Sequence, residues 1–122
     1  MYKRQVLEDE GAPERTVFHC FSGAEDFARR CVERGYVLSF AGTVTFGNAG
    51  YLRDAAALTP VEQMLVETDA PFLTPMPYRG RPNASRLVPH TVRALAEVKG
   101  VELEEFCAGL TAAAERIFGF WE

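Results

Sequence analysis

Two segments of the sequence end in side chains that can bind a metal ion. His19 lies in the β-branched and aromatic run Thr16–Cys20, and Asp69 directly follows the apolar run Met64–Thr68. Both runs are typical of buried strands. If the two strands are parallel, their carboxyl ends meet at one edge of a sheet, where functional groups gather. An imidazole and a carboxylate are donors for divalent metals, so we predict His19 and Asp69 as ligands.

Glu67 precedes Asp69 by two residues and therefore shares its face of the strand. Because Glu67 lies one layer deeper, we expect it to accept a hydrogen bond behind the metal or to form an inward ion pair. Structural roles are the alternative for both predicted ligands. A histidine at a strand end also serves as a hydrogen-bonded structural residue, and an aspartate before Ala-Pro also serves as a turn residue.

A basic loop follows the Asp69 strand. The segment Tyr78–Asn83 contains the one concentrated basic patch of the sequence. Its Arg79 and Arg81 are candidates for bidentate phosphate binding beside the metal site, with solvated loop arginines as the alternative. We expect Asn83 to hold the loop by hydrogen bonds to the backbone.

Two further residues carry possible chemistry. Cys20 adjoins His19, but the alternation of side chains along a strand predicts that it turns away and packs against a covering helix. His90 follows Pro89 at the start of a helix, where a surface or capping role is expected. We assign neither residue to the metal site.

The elements that must position these side chains alternate between strands and helices. A helix tail ends at Gly11, and Ser22 with Glu25 has the spacing of a capping box for the first full helix, which ends at Gly35. The remaining predicted elements are strands over 16–20, 36–40 and 64–68 and helices over 52–58, 91–99 and 103–118. Strands that alternate with helices through short links predict a parallel sheet in an α/β fold.

Composition excludes several classes of protein. The 122 residues are 48% hydrophobic, which is too apolar for a disordered segment and sufficient for one domain. No apolar run approaches the roughly 20 residues of a membrane span, and the charged first residues lead us to expect no secretory signal. The net charge of −4 argues against coating of nucleic acid by bulk charge. Three cysteines without a paired motif predict free thiols in a reducing cytoplasm.

The motifs, taken together, resemble the TatD family of metal-dependent deoxyribonucleases, which are amidohydrolase-type TIM barrels. The resemblance runs through VFHCFSG (17–23), LSFAGTVTF (38–46), LVETDAP (65–71) and YRGRPN (78–83), and also through 92–100 and 114–119. It implies that His19 ends the sixth barrel strand and binds metal. It also implies that Asp69 ends the eighth strand, binds metal and takes part in activating the hydrolytic water.

The resemblance further implies the cofactor and the substrate. A TatD-type enzyme would use divalent ions such as Mg²⁺, Zn²⁺ or Mn²⁺ to hydrolyse phosphodiester bonds in DNA or another phosphoester. Arg79 and Arg81 would then position the nucleic-acid backbone.

The sequence departs from the family pattern in the ligands that precede the sixth strand. The His-x-His pair of the first strand, the glutamate of the fourth and the histidine of the fifth are absent. We therefore expect residues 1–122 to be a single carboxyl-terminal part of a TatD-like barrel, strands six to eight, which shows little or no activity by itself. Upstream DNA encoding the His-x-His pair and the glutamate would identify a fragment.

The alternative function is a non-catalytic remnant that acts, if at all, as a binding or interaction module. Metal-dependent cleavage that is lost in His19→Ala and Asp69→Ala would exclude it. Three parallel strands would leave two unpaired edges, which predicts self-association in either case. No membrane partner is expected.

Overall fold

Three short parallel strands form the centre of the molecule. The computed structural model describes the backbone of residues 2–120 and the side chains of residues 5–120. The strands are β1 (Val17–Phe18), β2 (Val37–Phe40) and β3 (Met64–Val66), and β2 lies between the other two. Val37 pairs with Val17, and Ser39 pairs with Leu65. The predicted parallel sheet is confirmed, although each strand is shorter than expected.

Five α-helices surround the sheet in the part of the chain that the structure describes. They are α1 (Tyr2–Glu10), α2 (Glu25–Glu33), α3 (Gly50–Leu58), α4 (Val88–Lys99) and α5 (Leu103–Phe118). Single turns of 3₁₀ helix lie at Gly42–Thr45, Val61–Gln63 and Ser85–Leu87. The α4 helix begins three residues earlier than the sequence predicts, because Pro89 fits the first turn of a helix. Each strand is followed by a helix, as expected of an α/β fold.

The two faces of the sheet carry different apolar clusters. One face carries the larger cluster, and its fully buried side chains include Leu38, Phe40 and Met64 together with Leu95 from α4 and Phe106 from α5. Each such side chain contributes roughly 1.5–3 kcal/mol relative to an exposed position. The opposite face, which we call the inner face, carries Val17, Val37 and Leu65, packed against Ala113, Ala114 and Ile117 of α5.

The predicted capping box at Ser22 and Glu25 is wrong. The α2 helix begins at Glu25 itself, after an extended Ala24 whose side chain makes no cap. Ser22 therefore lies outside the helix, and Glu25 instead forms a 2.6 Å ion pair with Arg29. Gly23 precedes the helix and is closely packed, because a Cβ atom there would lie 2.6 Å from Phe27 and 2.8 Å from Phe21.

The three cysteines are free thiols, as the sequence predicts: Cys31 is buried, Cys20 is half-buried and Cys107 is exposed. Among the described residues, no helix has the length and apolar content needed to cross a bilayer.

Candidate metal centre

His19 and Glu67 meet at the carboxyl ends of two strands that do not pair with each other. The Nδ1 atom of His19 lies 3.0 Å from Oε2 of Glu67 and also 3.0 Å from Oε1. A proton on Nδ1 can be donated to this carboxylate, which leaves the lone pair of Nε2 free to bind a metal ion. The His19 side chain is 70% exposed, whereas that of Glu67 is only 15% exposed. Glu67 thus anchors an imidazole that faces solvent.

Asp69 completes the cluster on the other side of the imidazole. Its Oδ1 atom lies 3.9 Å from Nε2 of His19, which is too long for a hydrogen bond. Two metal–ligand bonds of about 2.0–2.2 Å can span this separation. One donor atom from each of His19, Glu67 and Asp69 lies within 4.8 Å of the others. Among the described residues, these three form the group of potential metal ligands that lie this close together.

The backbone bends sharply at both sides of the cluster. Cys20 has a φ of 48° and Asp69 a φ of 55°, in the left-handed region that non-glycine residues rarely adopt. These bends end β1 at Phe18 and β3 at Val66, which is why the predicted strands were too long. Left-handed non-glycine residues cost of the order of 1–3 kcal/mol and cluster at functional sites.

Cys20 contributes its backbone rather than its thiol. Its N–H donates a 3.0 Å hydrogen bond to Oε2 of Glu67, the same oxygen that faces His19. Partial burial, and then the nearby Glu67 and Asp69 carboxylates, raise the pKa of the Cys20 thiol above its ordinary value of 9.0. A thiol that stays protonated is a poor metal ligand. The predicted packing of Cys20 against a helix assumed that side chains alternate along a strand through Cys20. The strand β1 ends at Phe18, so the assumption does not hold at Cys20.

Asn83 holds the segment that carries Asp69, as the sequence predicts. Its Nδ2 group donates to the carbonyl of Thr68 at 2.8 Å and to that of Phe72 at 2.7 Å. Its own N–H donates to the carbonyl of Pro71 at 2.9 Å. Asn83 is buried, so these bonds are shielded from water. The turn after β3 is therefore fixed by a residue 14 positions beyond Asp69.

The inner face of the sheet continues below the cluster into an open cavity of about 360 Å³. Its walls include His19, Glu67 and Ser39, and α5 contributes Ala114 and Phe118. Ser39 belongs to the central strand, between the strands that carry the histidine and the glutamate. Because its side chain is small, His19 and Glu67 can meet across the end of β2.

The donor set fits a divalent metal ion. An imidazole and a carboxylate are donors for ions such as Zn²⁺ or Mn²⁺, and Glu67 adds a second carboxylate behind the imidazole. In addition, Oε1 of Glu67 is buried and has no hydrogen-bond donor, although it lies near Nδ1 of His19. A single proton on Nδ1 cannot satisfy both oxygens of Glu67. An additional positive charge would therefore stabilise this carboxylate.

The structure places the two arginines of the basic loop in different surroundings. The guanidinium of Arg79 stacks over the ring of Phe46, 3.9 Å from its centroid. Arg81 lines a separate cavity with Tyr78 and Arg86. Phosphate binding by Arg79 and Arg81 stays a prediction.

His90 lies in the first turn of α4, where its ring contacts Tyr78 with 5.2 Å between centroids. His90 is thus partly buried by an aromatic contact and not fully exposed on the surface. The α4 helix has no side-chain cap at its N-cap residue, Leu87.

Sequence reasoning missed the backbone N–H of Cys20, which no residue-type signal could have revealed. It also missed Arg86, which shares a cavity with Arg81. A signal for Arg86 was present, because residues 70–96 contain four arginines and no acidic residue.

The fold and the cluster define part of an α/β barrel with candidate metal ligands at the carboxyl ends of its strands. Residues 4–119 match the family described as TatD related DNase, and the chain belongs to this family. The crystal structure of YjjV, a TatD homologue from Escherichia coli, superposes with a TM-score of 0.87 at 29% identity. The match covers 96% of this chain and 45% of YjjV.

Curated relatives agree with this assignment. A protein of Mycobacterium tuberculosis named "Uncharacterized metal-dependent hydrolase TatD" is 51% identical over 114 residues, which are 93% of this chain and 43% of the relative. The "3'-5' ssDNA/RNA exonuclease TatD" of Citrobacter rodentium is 34% identical over 108 residues, which are 84% of this chain and 41% of the relative. The chain spans less than half the length of these relatives.

Proposed function

We propose that residues 1–122 form strands six to eight of a TatD-type (β/α)₈ barrel. The complete protein would be a metal-dependent hydrolase of phosphodiester bonds in nucleic acid. The cluster of His19, Glu67 and Asp69 carries this proposal, because its donors converge at the carboxyl ends of parallel strands.

Each residue of the cluster has a distinct role in this proposal. Nε2 of His19 and Oδ1 of Asp69 would hold a divalent ion, such as Mg²⁺, Zn²⁺ or Mn²⁺. When bound, the ion supplies Lewis acidity and lowers the pKa of a bound water. Glu67 keeps the proton on Nδ1 of His19 and thereby orients the ring. The second carboxylate oxygen of Asp69 would accept a proton from the attacking water, which makes Asp69 the proposed catalytic residue.

The proposed substrate is a nucleic-acid strand. The name of the Citrobacter rodentium relative supports single-stranded DNA or RNA as the substrate class. Arg79 and Arg81 follow the Asp69 strand on a loop that Asn83 fixes to it. We assign both arginines to binding of the phosphate backbone.

We expect the donors of this chain to bind a metal weakly and not to complete a hydrolase site. If Glu67 is engaged with His19, only two donors of the described cluster remain to contact the ion directly. We therefore expect little or no hydrolysis by the chain alone. The same observation supports the second candidate, a non-catalytic module that binds metal or a partner.

Complementation tests the proposed function. The chain is mixed with the portion of the Mycobacterium tuberculosis relative outside the matched region, and release of labelled nucleotides from single-stranded DNA is measured with Mn²⁺. We expect metal-dependent release from the mixture and none from either part alone. His19→Ala and Asp69→Ala should each reduce the rate by at least about 100-fold, and Glu67→Gln by about 10- to 100-fold.

Asp54→Ala is the matched control, because Asp54 is an exposed carboxylate on α3 outside the cluster. It should leave the rate unchanged. Mn²⁺ affinity is measured by calorimetry on the same variants. Affinity equal in wild type, His19→Ala and Asp69→Ala would contradict the metal assignment. Metal binding by the wild type without hydrolysis in any mixture would favour the non-catalytic module.

A further inference from the structure

The charged residues of the segment that follows the Asp69 strand are all basic, although the chain as a whole is acidic. Residues 70–96 contain Arg79, Arg81, Arg86 and Arg93 and no acidic residue, so that this segment has a formal charge of +4. The rest of the chain then has a formal charge of −8, for a total of −4. Such segregation creates a local positive potential on a molecule whose net charge would repel polyanions.

Two of these arginines share one cavity. A cavity of about 430 Å³ is lined by Tyr78, Arg81, Pro82, Arg86 and Leu87, and no acidic residue lines it. Within the described part of the chain, neither guanidinium forms a hydrogen bond or an ion pair. Two like charges around one cavity without a carboxylate repel each other, and a bound anion would remove that repulsion.

The backbone around this cavity is fixed, although its side chains are exposed. The N–H of Arg81 donates to the carbonyl of Tyr78 at 3.1 Å, and the Thr74 hydroxyl donates to the carbonyl of Arg81. Gly80 supplies the positive φ of 92° that this turn requires. A fixed loop reduces the entropy that is lost when a ligand binds.

Tyr78 gives the cavity an aromatic wall. Tyr78 is 37% exposed, and its ring makes an edge contact with the ring of His90, with 5.2 Å between centroids. An exposed aromatic ring beside paired arginines is the combination that binds a nucleobase together with its phosphate.

We propose that the cavity of Tyr78, Arg81 and Arg86 is a binding subsite for one nucleotide of a single-stranded nucleic acid. Arg81 and Arg86 bind its phosphate and Tyr78 stacks on its base. The inference rests on the proposed function for the identity of the ligand, and it assigns Arg86 a role that the motifs do not. Arg79, stacked on Phe46, is not part of this subsite.

Binding without metal tests the subsite independently of hydrolysis. Fluorescence anisotropy of a labelled oligodeoxythymidylate is measured in EDTA over a series of salt concentrations. We expect Arg81→Gln and Arg86→Gln each to raise the Kd by about tenfold. The slope of log Kd against log salt concentration should fall by about 1, the value expected for the loss of one phosphate contact.

Arg93→Gln is the matched control, because it removes the same charge from the same basic segment but lines a different cavity. Its Kd should stay within about twofold of wild type, since Arg93 does not line the subsite and exposed charges outside it are screened by salt. An equal loss in Arg93→Gln and Arg86→Gln would overturn the subsite in favour of bulk charge. Unchanged binding in Arg81→Gln and Arg86→Gln would overturn it as well.

Two further probes separate the base from the phosphate. Tyr78→Leu should weaken oligonucleotide binding by about tenfold and leave competition by inorganic phosphate unchanged. Loss of both in Tyr78→Leu would contradict stacking on the base.

Intact binding in EDTA with no hydrolysis in the complementation assay would disprove the proposed function alone. Hydrolysis with wild-type Kd values in the arginine variants would disprove the subsite alone.

Discussion

At the scale of single residues, the candidate site depends on groups that lie behind the proposed ligands. Glu67 fixes one ring nitrogen of His19, and Asn83 fixes the turn that carries Asp69. Such supporting contacts decide whether ligands are held in position before the ion arrives. The most informative residue substitutions are therefore those behind the ligands.

Replacing Asn83 tests this support. Asn83→Ala would leave the carbonyls of Thr68 and Phe72 without their buried donor, so we expect a loss of about 2–3 kcal/mol in the free energy of unfolding. Urea denaturation measures this loss. Asn48→Ala is the control, because Asn48 is exposed, and its stability should match wild type. Equal stability of both variants would show that Asn83 does not hold the turn.

The sequence sufficed to pair His19 with Glu67 and Asp69, because parallel strands bring their carboxyl ends to one edge. It could not predict the left-handed bends at Cys20 and Asp69. Local propensity favours a strand through Cys20, and the bend there accompanies a hydrogen bond to Glu67, 47 positions away. The stacking of Arg79 on Phe46 was missed for the same reason, since it requires tertiary contact.

At the scale of elements, the segment after β2 supports the proline-rich loop that follows Asp69. The hydroxyl of Thr45 accepts a 2.8 Å hydrogen bond from the N–H of Met76 and donates to the carbonyl of Gly42. Gly42 itself lies against the backbone of Leu73 and Pro75. The 3₁₀ turn at Gly42–Thr45 thus contacts the proline-rich loop and holds it by a hydrogen bond to Met76.

A methyl group at Gly42 should disrupt this contact. Its Cβ atom would overlap the carbonyl oxygen of Leu73 and lie 2.9 Å from the nitrogen of Pro75, and backbone atoms cannot move aside easily. We expect Gly42→Ala to lower the free energy of unfolding by about 1–3 kcal/mol. Gly47→Ala, which meets no atom within 4 Å, should change it by less than about 0.5 kcal/mol. The reverse order in urea denaturation would contradict this explanation.

The order of the elements was predictable, whereas their ends were not. Hydrophobic periodicity identified α5 at Leu103–Phe118 with its observed bounds. The capping box at Ser22 failed, because α2 begins at Glu25 after an extended Ala24, which leaves Ser22 outside the helix. Spacing rules describe contacts within a helix, and tertiary packing decides where the helix begins.

At the scale of the whole molecule, the sheet has three strands, whereas a complete (β/α)₈ barrel has eight. The outer edges of β1 and β3 pair with no strand in the described part of the chain. On the inner face, Val17 is only partly buried and lines the open cavity. Unpaired edges beside an apolar face favour association with further strands.

Self-association is the prediction at this scale. In light scattering coupled to size-exclusion chromatography, we expect the apparent mass to rise above the 13.5 kDa monomer as concentration increases. Reductant is included so that the exposed Cys107 cannot cross-link two chains. A constant monomer mass at high concentration would contradict the prediction. Addition of the complementary portion of a relative should compete with self-association, because both would use the same edges.

The hydrogen bond between His19 and Glu67 has a consequence for how the sheet comes apart. It joins the outer strands above the central one, and the N–H of Cys20 adds a second link to the same carboxylate. Neither outer strand can leave β2 without also breaking its tie to the other. We therefore expect the three strands to unfold together, and a ligand that binds the site only in the folded state should stabilise the entire sheet.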